Sequence, residues 1–175
     1  MTSNEDRQYP PALAAAMAVR LDSMGEDGAD FEPCPAFLSA DETTEWLRQW
    51  TRNGELNGDE FRVFGQDGTG GCAAFWLVRP GRALAGQPVV FLGSEGETGV
   101  VASDLGDFLW LLAAGLGPWE AVDSREPDWI PRAHPDLTAI AEQFAPDHRA
   151  SATAVMERAA REFPDFDDII MRLCR

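Results

Sequence analysis

Few residues of this chain combine type and spacing suited to chemistry. There are two histidines, His134 and His148. A Ser-His or Cys-His pair would need one of them beside Ser94 or Cys72. Leu92-Gly-Ser94-Glu-Gly96 approaches a nucleophile elbow, but position 92 is leucine where G-x-S-x-G needs glycine, and a strand rather than a helix is expected after it. Gly65-Gln-Asp-Gly-Thr-Gly-Gly71 has the glycine content of a phosphate loop without the Lys-Ser/Thr ending. No helix N-terminus follows to offer amides to an anion, so the cluster reads as a hairpin turn. Asp165, Asp167 and Asp168 lack the central glycine and distal glutamate of a calcium loop, and read as a helix start with Asp165 as cap. Cys34, Cys72 and Cys174 make no C-x-x-C pair. These residues predict no catalytic set and no metal site. A hydrolase built on Ser94 or Cys72 stays open only if the fold brings a histidine to either.

Charge is more informative. The 175 residues hold 14 arginines, no lysine and 30 acidic residues, for a net −16. Residues 22–60 carry a net −9 and residues 93–128 a net −7, so these two segments hold the whole excess. Such a surface repels phosphate backbones and disfavours direct nucleic-acid binding. It suits a basic protein partner met by fast, salt-sensitive association. No apolar run reaches the roughly 18 residues of a membrane span, and residues 1–9 are polar, so neither insertion nor Sec export is expected. Sparse, unpaired cysteines suit the cytoplasm.

The elements that would carry these residues follow from periodicity. Residues 1–9 read as disordered. Pro10-Pro11 opens a helix with Leu13, Met17, Leu21 and Met24 on one stripe, stopped by Gly25 and Gly28. Ser39 and Glu42 have capping-box spacing for a helix over about 41–52, with Trp46, Leu47 and Trp50 inward and Asn53-Gly54 at its end. Four strands follow, over 61–64, 72–78, 88–92 and 98–102, joined by connections too short for parallel crossovers. Ser103 should cap the next helix, with Asp104 and Asp107 in its first turn. Its Leu105, Phe108, Leu109 and Leu112 repeat at helical spacing, and Trp110 and Leu111 make it apolar nearly all round. Helices led by Leu137, Val155 and Phe166 complete the chain, with His134 as a poor cap. The order predicts an α+β fold: an antiparallel sheet of about four or more strands flanked by helices, with a C-terminal helical extension. The domain would span 10–120, with residues 121–175 packed on it. Trp46, Trp50, Phe64, Phe75, Val89, Phe91, Val100, Phe108, Leu109 and Leu112 are expected to be buried together, with Trp76 and Trp110 undecided.

A tryptophan-bearing helix, Phe61-Arg-Val-Phe-Gly65, a glycine-rich turn, Ala73-Ala-Phe-Trp76, Pro88-Val-Val-Phe-Leu92, Glu95-Gly-Glu97 and Val100-Val-Ala-Ser-Asp-Leu-Gly-Asp-Phe-Leu109 follow one another. From about Ser39 to Gly115 this succession resembles the SUKH superfamily of Smi/Knr-type proteins. The resemblance implies an α+β fold, no enzymatic activity and no cofactor. It also implies an immunity protein that neutralises a polymorphic or contact-dependent toxin, often a nuclease, by occluding a basic surface. The alternative is an intracellular regulatory or scaffold protein of the same type. Partner contact is assigned to Glu95, Glu97, Asp104 and Asp107 on one rim of the sheet, with Asp67 joining if its hairpin lies at the same end.

Overall fold

The computed structural model describes residues 7–21, 28–123 and 129–175. It is an α+β fold, as the order of elements predicts. Among these residues five strands form one antiparallel sheet in sequence order. They are β1 (Glu32–Pro33), β2 (Phe61–Gln66), β3 (Cys72–Trp76), β4 (Val89–Leu92) and β5 (Thr98–Ala102). The helices are α1 (Pro11–Met17), α2 (Ala40–Thr51), α3 (Leu105–Ala113), α4 (Pro118–Val122), α5 (Pro135–Phe144), α6 (Ala152–Glu162) and α7 (Phe166–Met171). No helix among the described residues is long and apolar enough to cross a membrane.

Side-chain alternation along the strands builds two cores rather than the single one expected. Ala73, Phe75, Val89, Phe91 and Val101 point to one face, where Phe108, Leu109 and Leu112 of α3 meet them together with Phe64, Leu137 and Val155. Cys72, Ala74, Trp76, Val90 and Leu92 point to the other, under Leu47 of α2 and Phe166 and Ile170 of α7. Trp46, Trp50 and Val100 belong to this second face and are only half-buried. Trp76 and Trp110 are both buried, on opposite faces. Alternation buries Val63 and Phe64 on opposite faces, and a bulge between Val63 and Gly65 leaves Phe64 as the extra residue of β2. At Gly65 a Cβ would lie 2.2 Å from the Phe31 ring, so only glycine lets that ring close the sheet.

Local chemistry departs from the sequence reading at several ends. The α2 capping box forms as predicted, with Ser39 and Glu42 exchanging hydrogen bonds. The Ser39 backbone N–H and hydroxyl hold the Glu42 carboxyl below its ordinary range. The left-handed residue ending α2 is Arg52 (φ 55°), not Gly54. The cap of α3 is Asp104, which accepts from the Asp107 N–H at 2.9 Å; Ser103 instead leaves its hydroxyl buried and unbonded. Asp104 is one residue closer to the helix, where its carboxylate reaches the orphan amide. Asp165 and His134 precede α7 and α5 without side-chain capping bonds. Helix α1 stops at Met17, though Leu21 beyond it is buried; Met24 and Gly25 lie outside the described residues.

Of the segment read as disordered, residues 1–6 lie outside the described residues, and Arg7 and Tyr9 are pinned. Arg7 and Phe37 exchange backbone and side-chain bonds, and the Tyr9 hydroxyl donates to the Cys34 and Phe64 carbonyls. The boundary placed at residue 120 falls inside α4, and α5 and α6 both pack on α3.

Two substitutions test this packing. Phe108 is fully buried among Phe64 and its neighbours. Phe108→Ala should lower the unfolding free energy by about 3–5 kcal/mol in denaturant titration; a loss under about 1 kcal/mol would contradict the sheet-on-helix core. His134 is buried with both ring nitrogens unbonded. His134→Leu should therefore be neutral or stabilising, whereas a loss above about 2 kcal/mol would reveal a partner for the ring.

Candidate functional site

The four acidic residues expected on one rim occupy opposite ends of the sheet. Glu95 and Glu97 sit on the turn from β4 to β5, while Asp104 and Asp107 follow β5 at its far end. Five strand residues separate the two groups, about 16 Å of extended chain. The β2–β3 hairpin does share the Glu95–Glu97 end: Cys72 pairs with Leu92, and the Ser94 hydroxyl donates to the Thr69 hydroxyl at 2.8 Å. Asp67 is nonetheless a loop brace. It is buried, and one oxygen accepts from the Thr69 N–H and hydroxyl and from the Gly71 N–H. The glycine cluster is thus a closed hairpin turn.

Asp107 is also withdrawn from the surface. Its carboxylate is 1% exposed, and Arg158 Nη1 donates to both oxygens at 2.7 Å. His148 Nδ1 lies 3.1 Å from Asp107 and 3.4 Å from Asp104. A Cβ on Gly106 would come within 2.7 Å of the His148 ring, so glycine admits that ring against α3. Asp104, Asp107 and His148 could together offer three metal ligands. The donor set is poorly suited to a cation, because the guanidinium already compensates Asp107 and Asp104 is committed as a helix cap. The cluster is a structural pin joining α3 to α6.

Among the described residues, no hydrogen bond joins Ser94 or Cys72 to either histidine. Ser94 bonds Thr69, and His148 bonds carboxylates. Burial pushes the Cys72 thiol up to about 12, with smaller contributions from Cys34 and Asp67. Burial also raises Glu120, whose oxygens accept from the Asp30 and Gly117 N–H groups. Asp30 in turn accepts from the Gly68 N–H, which ties the hairpin to α4.

What remains at the acidic end is the Glu95–Glu97 turn and its surroundings. Trp50 Nε1 donates to the Gly93 carbonyl at 2.7 Å, and Thr98 Oγ1 donates to Asp167 at 2.6 Å. Glu95 is exposed and Glu97 half-buried. Beside the turn, a groove of about 300 Å³ runs along β5 between α4 and the α6–α7 connection. Sequence reasoning had no signal for the Asp107–Arg158 pin, a contact between residues 51 apart.

No protein-family profile, curated protein or solved structure matches the chain.

Two outcomes check the assignments. Arg158→Ala leaves a buried carboxylate and should cost about 2–4 kcal/mol. Arg175→Ala, which breaks an exposed pair with Glu55, should cost about 0–1 kcal/mol. Zn²⁺ or Mg²⁺ should leave the melting temperature unmoved, and a metal-dependent rise would overturn the pin. The second outcome concerns pH. The unfolded Cys72 thiol titrates near 9 and the folded one near 12, so the folded chain keeps a proton that the unfolded chain releases. Stability should be intact below pH 9 and fall by about 1.4 kcal/mol per pH unit from this group as pH rises towards 12. Cys72→Ala should flatten that fall; an unchanged alkaline slope would contradict it.

Proposed function

We propose that the chain is a non-enzymatic binding module of the SUKH type, an immunity protein that occludes a basic surface of a toxin. The observation that carries this reading is the acidic end of the sheet. Glu95 and Glu97 stand on its turn, and the sequence between Arg82 and Arg125 contains no basic residue. The excess of 16 negative charges survives even if every arginine is paired within the chain. The order of elements supports the family reading: the α2 tryptophans, a glycine hairpin, two doubly buried strands, an acidic turn, and a helix beginning at Leu105.

Asp67 and Asp107 are buried and Asp104 lies at the far end of the sheet, so the proposed partner contact falls on the exposed Glu95 and the half-buried Glu97. Their charge would speed encounter with a basic surface, and the neighbouring Trp50 side chain would offer apolar area once docked.

The test is co-expression with the protein encoded beside this chain in its genome. If that protein carries a toxic basic C-terminal domain, the chain should restore growth and form a complex with it. Lack of rescue or complex would contradict the reading. Reversing Glu95 and Glu97 to arginine should slow association at low salt, with the effect shrinking above roughly 0.15 M as screening closes to about 8 Å. An unchanged association rate would mean the turn is only a solvated surface.

A further inference from the structure

The edge of the sheet beside the acidic turn carries an observation that net charge does not. The Trp76 N–H donates to the Pro88 carbonyl, so Pro88, Val90 and Leu92 direct their backbone groups at β3. The Gly93 N–H donates to the Glu97 carbonyl, so the alternate residues Phe91 and Gly93 face β5. Phe91 pairs with Gly99. Gly99 therefore bonds β4, and the N–H and C=O groups of Thr98 and Val100 point away from the sheet. Among the described residues none of these four groups has a hydrogen-bond partner.

They open into the 300 Å³ groove. Its apolar walls include Val122 of α4, Met156 of α6 and Phe163, and among the described residues Asp167 is its one charged lining residue. Asp167 accepts from the Thr98 hydroxyl with one oxygen, which leaves the other to face an incoming cation. At Gly99 a Cβ would lie 3.0 Å from Val122, so the missing side chain lets α4 wall the groove closely without covering the strand edge.

We infer that the open edge at Thr98 and Val100 accepts an extended segment of a basic protein partner as an added β-strand. The two outward residues offer two donors and two acceptors to a strand laid alongside. Period-two alternation in that strand would direct apolar residues to Val122 and Met156 and basic residues to Asp167. A second copy of this chain is a poor occupant. It brings another 16 negative charges, and the two outward residues are too short an edge to hold a dimer by themselves. This inference rests on the acidic-partner reading, because charge selects the occupant.

The experiment is a titration of the ¹⁵N-labelled full chain with acetyl-(Val-Arg)₃-amide, and with the same peptide carrying glutamate for arginine. The arginine peptide should shift the Thr98 and Val100 amides, and the glutamate peptide should not. Val100→Pro removes an outward N–H that the ladder does not use and should weaken binding about tenfold. If that variant does not fold, the arginine peptide N-methylated at successive residues should show the same weakening on the unaltered chain. Asp167→Asn should weaken the arginine peptide. No binding at millimolar peptide, or binding indifferent to both Val100→Pro and N-methylation, would overturn the inference. Binding lost only on reversal of Glu95 and Glu97 would also overturn it, and would leave the acidic-partner reading standing. Failure of toxin rescue with strand addition intact would do the reverse.

Discussion

The structure depends on the burial of β3 and β4 on both faces. Every residue of both strands is buried, and their side chains alternate between two separate clusters. Antiparallel sheets commonly leave one face to water. Here neither face can be left open, so helices must reach both. Helix α3 covers the first face and is itself apolar almost all round, because α5 and α6 pack on it in turn. Helices α2 and α7 cover the second. The chain reaches α7 only by passing α6 across β5, and the bond between Arg158 and the buried Asp107 pins that crossing. The C-terminal helices are thus part of the domain's closure rather than an appendage to it.

That closure also decides what the acidic residues do. A carboxylate beside an orphan amide is worth more to the fold than to a distant partner, and many of them are spent this way. Asp104 caps α3, Asp67 braces its hairpin, Glu120 and Asp30 tie α4 to the sheet, and Glu42 completes a capping box. Net charge in a window of sequence therefore overstates the charge available for binding. In the β4–β5 turn too, Glu97 accepts from the Glu95 N–H, and what sets this turn apart is the exposure of Glu95.

The strands, the α2 capping box and the apolar α3 were legible because each rests on a local period or spacing. The short β1 escaped notice: it is two residues long, one of them proline, and is held by pairing to Gly65 and Gln66. The division of the core was hidden for a different reason. Period two was visible in Cys72 to Trp76, but apolar residues at every position conceal which face each one serves. Whether Glu95 and Asp104 share a rim was a question of topology: a turn before a strand and a cap after it must lie at opposite ends. The Arg158–Asp107 pin and the Arg79 bond to Ser103 join distant segments, and nothing in local spacing announces them.

Among the described residues, closure by α4 and α6 leaves the outward backbone groups of Thr98 and Val100 without hydrogen-bond partners. Amide hydrogen exchange of the free full chain, resolved by residue, tests it most directly. Gly99, bonded to Phe91, should exchange orders of magnitude more slowly than Thr98 and Val100 on either side of it. Equal protection at all three amides would show the edge already covered and would contradict the account.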